Sequence, residues 1–237
     1  MAAHGRPTRL TAPGLTHHVI QRGNNRQEIF FTDADRRLFL SWLHAAAQAE
    51  GCALHAYVLM TNHIHLLVTP NSADGLPRMM QSLGRRYVRY VNITHGRTGT
   101  LWEGRYRATI LDSETYVLAC YRYIEANPLR AGLVGDPAQH LWSSYRHNAL
   151  GRRDPLVAEH ETYLALGSTP AARQDSYHAL FAQGLDGALI GTLRDATQRG
   201  WIPGSETFRH SVETLLGRSA AMPQRGRPPR HEEKGSE

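Results

Sequence analysis

The stretch CALHAYVLMTNHIHLLVT, residues 52–69, decides how the chain is read. Two β-prone apolar runs, Cys52 to Met60 and Ile64 to Thr69, flank the tight connection Thr61-Asn62, which is the pattern of a β-hairpin. Side chains at i and i+2 of a strand share a face, so His63 and His65 project together from the middle of a sheet. Upstream, Gly51 stops a helix over Asp33 to Glu50. Its Leu38, Phe39, Trp42, Leu43 and Ala46 form one apolar stripe, and Thr32 is placed to cap it. Before that, Thr16 to Gln21 (THHVIQ) is a short strand ending at the turn Arg22-Gly23-Asn24-Asn25.

Downstream, a second helix spans about Asp74 to Val91, with Leu76, Met79, Met80, Leu83, Tyr87 and Tyr90 inward. Arg78, Arg85 and Arg89, at i, i+7 and i+11, share its opposite face. Tyr106 to Leu111 reads as a fourth strand. A third helix starts after the Asp112-Ser113 cap and must stop at Asn127, because Pro128 follows. The order β-α-β-β-α-β, then a helix, predicts an α+β chain with a ferredoxin-like antiparallel sheet and helices on one face.

From about Pro155 the strand signal fades. Gly167, Gly184, Gly200 and Gly217 close successive amphipathic stretches, as C-terminal capping glycines do, and Thr169-Pro170 is an N-cap followed by Pro at the first helical position. After Ser205, residues Phe208, Val212, Leu215 and Leu216 make one more apolar face. The expected organisation is a domain over 1–150, a helical subdomain over 151–217 and a basic, disordered tail over 218–237.

With 237 residues, 41% hydrophobic and 20% charged, the chain has an ordinary globular composition. No apolar run approaches the roughly 18 residues of a membrane span, and Met1 to Arg9 has no apolar core of an export signal. Two cysteines, Cys52 and Cys120, make no disulfide framework, so a reducing cytoplasm is expected. The 27 basic residues outnumber the 21 acidic ones by six. The segment Arg78 to Arg107, with seven Arg against Glu103 alone, carries that same excess of six. A concentrated Arg patch is the electrostatic footprint of phosphate binding, although an Arg-rich solvated surface gives the same count.

Two constellations could do chemistry. His63 and His65 are ready-made for a divalent metal, but the polar face of an ordinary sheet would look the same. His17, His18 and His55 have no partner in sequence and read as structural. In Tyr121-Arg122-Tyr123-Ile124-Glu125-Ala126-Asn127-Pro128, Tyr123 and Asn127 stack one helical turn apart. Tyr121 lies about 200° around the helix and joins Val117 and Ile124 in a core stripe.

Taken together, Asn62-His63-Ile64-His65-Leu66-Leu67, the Arg-rich helix, Gly104-Arg105-Tyr106, Tyr123-x-x-x-Asn127-Pro128-x-Arg130-Ala131-Gly132 and Trp142-Ser143-Ser144-Tyr145 resemble the single-tyrosine HUH transposases. The resemblance runs from about Arg9 to Tyr145 and is strongest to the REP-associated tyrosine transposases. Thr61 departs from that pattern, standing where a Pro is expected in the hairpin turn.

The resemblance implies cleavage of single-stranded or hairpin DNA through a 5′-phosphotyrosine, with Mg²⁺ or Mn²⁺. It makes Tyr123 the nucleophile and His63, His65 and Asn127 the metal ligands, converging beside the Tyr123 hydroxyl. Arg78, Arg85, Arg86 and Arg89 would then clamp phosphates, and Arg105 and Arg107 would line the route to the tyrosine helix. Trp102 and Tyr106 would stack on bases or belong to the core. Such a protein is expected to be cytoplasmic and nucleoid-associated, as a monomer or homodimer. A domesticated relative that grips DNA hairpins without cutting is the alternative. Arg225-Gly226-Arg227-Pro228 resembles an AT-hook core, and a solvated basic tail reads the same way.

Overall fold

A computed structural model describes residues 9–112 and 116–222. Four strands, β1 (His17–Arg22), β2 (Cys52–Leu59), β3 (His63–Pro70) and β4 (Arg107–Ile110), form one sheet in the order β2-β3-β1-β4, with every neighbour antiparallel. Helix α1 (Asp33–Ala49) joins β1 to β2, and α2 (Gly75–Thr94) joins β3 to β4. This is the expected ferredoxin-like plan. The hairpin closes where the Met60 N–H donates to the His63 carbonyl at 2.9 Å.

Local chemistry accounts for these elements. At the start of α1, Thr32 Oγ1 accepts from the Asp35 N–H at 3.2 Å while the Asp35 carboxylate accepts from the Thr32 N–H at 2.8 Å, a reciprocal cap. The stripes of α1 and α2 close over one face of the sheet: Phe39, Leu43, Leu76 and Met79 pack with Val19, Leu54, Ile64, Leu66 and Val68. Each side chain of this kind, once buried, is worth about 1.5–3 kcal/mol of transfer free energy.

The other face is covered from further along the chain. Helix α3 (Val117–Glu125) packs Ala119, Cys120, Tyr123 and Ile124 against Ala56, Val58 and Leu67. Helix α3 stops before Pro128, as expected, but the helical path resumes at once. A further turn, α4 (Asn127–Arg130), begins beside it, and the Arg130 N–H donates to the Ala126 carbonyl at 2.9 Å. Proline lacks only an N–H that the first turn of a helix leaves unpaired anyway, so the chain restarts at the break.

The remaining helices are α5 (Tyr145–Leu150), α6 (Glu161–Leu164), α7 (Pro170–Ala182), α8 (Gly187–Arg199) and α9 (Glu206–Leu216). Their packing crosses residue 150. Tyr163, Tyr177 and Leu193 share one apolar cluster with α3, and the ring of Tyr121 lies 6.1 Å from those of Tyr163 and Tyr177. Beneath them Glu125, fully buried, accepts from Ser144 Oγ at 2.5 Å, Asn148 Nδ2 at 2.7 Å and Tyr177 Oη at 2.7 Å.

The capping signals resolve unevenly. Gly200 and Gly217 are left-handed caps of α8 and α9, with φ of 74° and 62°. Gly167 is needed for space instead, since a Cβ there would meet the Cβ of Ala172 at 2.8 Å. The first residues of the expected tail are packed: Ala220 is buried, and its N–H donates to Glu213 Oε1 at 2.7 Å. Ser113 of the expected helix cap and the Arg225-Gly226-Arg227-Pro228 segment lie outside the described residues.

Candidate functional site

Cross-strand pairing fixes which side chains meet. Ile20 pairs with His65, Arg22 with His63, and Ile20 also with Arg107 on the other side. Paired residues of an antiparallel sheet share a face. His63, His65, Arg22 and Arg107 therefore all lie on the face that α3 covers.

The two imidazoles are inclined at 75°, with ring centroids 5.0 Å apart, and the Tyr123 ring meets His65 edge-on at 5.6 Å. His65 is almost fully buried at 3% exposed and Tyr123 at 4%, while His63 is half-buried at the rim. Each histidine is oriented through Nδ1. His63 Nδ1 lies 2.6 Å from Asn62 Oδ1, and Asn62 Nδ2 donates to the Arg26 carbonyl at 3.0 Å. With its amide nitrogen so engaged, Asn62 offers only its oxygen, so His63 carries its proton on Nδ1. His65 Nδ1 lies 2.8 Å from His18 Nε2. Neither His63 Nε2 nor His65 Nε2 is hydrogen-bonded to a described residue.

Electrostatics keep both rings neutral. Burial, then the charge of Arg22, pushes His63 down to about 4. Burial, then His18, His63 and two arginines, holds His65 well below the ordinary imidazole value. Burial raises the Tyr123 hydroxyl, and Arg130 and Arg194 pull against it. The Arg130 guanidinium sits 5.0 Å from the centre of the Tyr123 ring.

Asn127 is half-buried one turn beyond Tyr123, and its Nδ2 donates to the Tyr123 carbonyl at 3.0 Å. That bond aims the amide and leaves Oδ1 without a hydrogen bond from a described residue. Among the described residues no three His, Cys, Asp or Glu side chains are grouped to hold a metal. A metal site here therefore needs the amide oxygen to join the two imidazoles. The donor set fits a divalent ion in its chemistry: two neutral rings whose Nε2 atoms bond no described residue, and one amide oxygen on the facing helix.

The arginines divide between two grooves. Arg78, Arg85, Arg89 and Arg105, with Trp102 and Tyr106, line a groove of about 640 Å³ along α2, on the sheet face opposite the histidines. Arg22, Arg26, Arg105, Arg107 and Arg199 line a second, polar groove of about 600 Å³ at the β4 edge, beside the histidines. Arg105 and Tyr106 line both, so the basic track runs from one face to the other round that edge. Arg86 is not part of it; its guanidinium stacks 4.3 Å over the Trp42 ring on the α1 side. Tyr106 is at once core and groove, 8% exposed with the Arg9 guanidinium 3.8 Å from its ring centre.

Four side chains beside this site are given no role in it by the sequence reading. Arg22 follows from the register of β1 on β3, and its buried Nε has no hydrogen-bond partner among the described residues. Arg130 stands inside the Asn127-Pro128-x-Arg130 motif, where spacing alone could have marked it. His18 and Arg194 reach the site only through tertiary packing.

Comparison with known proteins gives a family and a fold. No curated protein matches the chain. Among solved structures, a REP-associated tyrosine transposase bound to a REP hairpin superposes with a TM-score of 0.53 at 14% identity, covering 67% of this chain and 93% of that one. A candidate transposase from Deinococcus radiodurans gives a TM-score of 0.35 at 20% identity, over 54% and 92% of the two chains. The first shares the fold. The family described as transposase, IS200-like, matches residues 11–127, a span that opens before β1 and closes on Asn127, and so takes in both histidines and the tyrosine helix. The chain belongs to the IS200-like transposases, DNA-binding proteins of DNA recombination.

Proposed function

We propose that this protein is a metal-dependent, single-tyrosine DNA nickase and ligase that cuts single-stranded or hairpin DNA through a 5′-phosphotyrosine. The observation that carries the reading is the pair His63 and His65. Both are neutral, both are oriented through Nδ1, and the tyrosine of a facing helix lies edge-on to His65.

His63, His65 and Asn127 would hold Mg²⁺ or Mn²⁺, which supplies charge neutralisation and polarisation of the scissile phosphate. Tyr123 Oη attacks phosphorus, forming one P–O bond as the bond to the 3′ oxygen breaks. The phenol gives up a proton and the departing 3′ oxygen takes one, leaving a 3′-hydroxyl and a phosphodiester to Tyr123. Bond energy is conserved in that diester, so the 3′-hydroxyl can reverse the step and join strands without ATP. Arg130 and Arg194 favour the phenolate that attacks, and Arg22, whose Nε has no partner among the described residues, would meet the incoming phosphate. Arg105 and Arg107 guide the strand along the β4 edge, while Arg78, Arg85 and Arg89 hold phosphates on the far face.

The test is incubation with labelled hairpin oligonucleotides from the flanks of its own gene, with Mn²⁺ or Mg²⁺, read on a denaturing gel. A protease-sensitive, metal-dependent covalent adduct is expected. DNA binding without an adduct for either metal would make the protein a hairpin-binding relative that does not cut.

A further inference from the structure

The second ligand histidine is connected to the C-terminal helices by a chain of hydrogen bonds. His18 Nε2 lies 2.8 Å from His65 Nδ1, and His18 Nδ1 lies 2.7 Å from Thr197 Oγ1 on α8. Thr197 Oγ1 in turn donates to the Leu193 carbonyl at 2.8 Å. His18, Thr197 and Leu193 are all fully buried.

The direction of every proton follows from that last bond. A hydroxyl has one hydrogen, and the Leu193 carbonyl can only accept it. Thr197 Oγ1 must then accept from His18, so His18 carries its proton on Nδ1. A neutral imidazole has one N–H, which leaves His18 Nε2 as an acceptor and makes His65 Nδ1 the donor to it. A charged His18 would break this order, but it would be a buried cation with no acid against it among the described residues. His65 Nε2 is left with a bare lone pair, the form in which an imidazole binds a metal.

We infer that Thr197, seventy residues beyond the family-matched segment, acts through His18 as a positioning residue that fixes the His65 tautomer for metal ligation. The inference rests on the metal reading proposed above. It also gives the C-terminal helices a part in the site, since α8 packs against β4 and β1 and brings Thr197 over the sheet.

The test uses the full chain and three variants. T197V keeps the shape and removes the hydroxyl, T197S keeps the hydroxyl, and H18F removes the relay. In metal-free wild type, ¹⁵N spectra of the histidine rings are expected to show His65 protonated on Nδ1. In T197V, His18 loses its acceptor and can turn its proton toward His65, so a population of His65 protonated on Nε2 is expected. Mn²⁺ affinity, followed by electron paramagnetic resonance, is expected to fall 10- to 100-fold in T197V and H18F. T197S is expected to keep the wild-type pattern in both measurements, with thermal melts showing that all variants are folded.

Wild-type His65 protonated on Nε2, or T197V with unchanged tautomer and unchanged Mn²⁺ affinity, would overturn the inference. Wild type with the tautomer described and no Mn²⁺ binding would instead overturn the metal reading and leave the relay standing.

Discussion

The sheet with its first three helices and the helices after residue 150 are built by different kinds of information. In the first region, although the strands themselves pair at long range, the partners that define each element are close in sequence: Thr32 with Asp35, Met60 with His63, Tyr123 with Asn127. In the second, the decisive contacts span great distances, as with His18 to Thr197, His55 to the Ala158 carbonyl and Glu125 to Tyr177. The family match covers the first kind and stops before the second. A sheet of this sort is thus recognisable from spacing, while what holds the helix of Tyr123 in place is not.

The largest expected effect falls inside the first region and contrasts two tyrosines of one helix. Tyr123→Phe removes one oxygen from the ring beside His65, so the covalent adduct should vanish while fold and DNA affinity persist. Tyr121→Phe, on the side packed against Tyr163 and Tyr177, should leave adduct formation near wild type. An adduct formed by Tyr123→Phe would place the nucleophile elsewhere.

Next in size is the junction between the regions. Glu125 is fully buried and takes hydrogen bonds from α5, α7 and the residue preceding α5. Glu125→Leu removes the shared acceptor: Ser144 Oγ and Asn148 Nδ2 keep longer bonds to the Tyr57 and His55 carbonyls at 3.3 and 3.4 Å, while Tyr177 Oη is left with no acceptor among the described residues, so a loss of roughly 2 kcal/mol in unfolding free energy is expected. Glu125→Gln keeps part of the network and should lose about 1 kcal/mol. Equal stability of the two variants would mean that the polar network does not tie the regions together.

A second tie responds to pH. His55 on β2 is buried between the Ala158 carbonyl and Thr69 Oγ1, at 2.8 and 2.9 Å. Burial pushes it down to about 4, against the effect of its bond to Ala158. Below its ordinary value of 6.5 the unfolded chain takes up a proton that the folded chain refuses, so stability is lost as pH falls from about 6.5 toward 4. Between pH 7.5 and 5 this one group contributes a loss of about 2 kcal/mol, and His55→Gln should flatten the measured dependence by that amount. An identical pH dependence in the variant would remove His55 from the account.

These contrasts explain what could be read in advance. The alternation in residues 52–69, the α1 cap and the apolar stripe of α2 are local rules, and all reappear in the structure at or near their expected bounds. The joint placement of His63 and His65 needed only a period of two. What needed the register of β1 on β3 stayed hidden: His17 and His18 look alike in sequence, yet the one bonds the Leu15 carbonyl and the other reaches His65. Thr197 carries no local signal at all. Arg86 shows the same limit on a helix, since a count of basic residues cannot separate a groove-lining arginine from one that stacks on a core tryptophan.

That division of α2 defines the smallest expected effect. Arg85 and Arg89 line the groove and are exposed, whereas Arg78 beside them is held by Asp74 at 3.4 Å. Replacing Arg85 and Arg89 with Ala should weaken all single-stranded sequences alike. It should also flatten the salt dependence by about 0.7 in log–log slope for each phosphate that is no longer neutralised. Arg86→Ala, one residue along the helix, removes the stacking on Trp42 instead. It should leave the salt slope unchanged and lower stability by only about 0.5–1 kcal/mol, the size of an exposed cation–π interaction. Binding isotherms at several salt concentrations read the first effect and thermal melts the second. If Arg86→Ala flattens the slope as much as the other two, the division of α2 into a DNA face and a packing face is wrong, and the whole basic surface acts as one diffuse field.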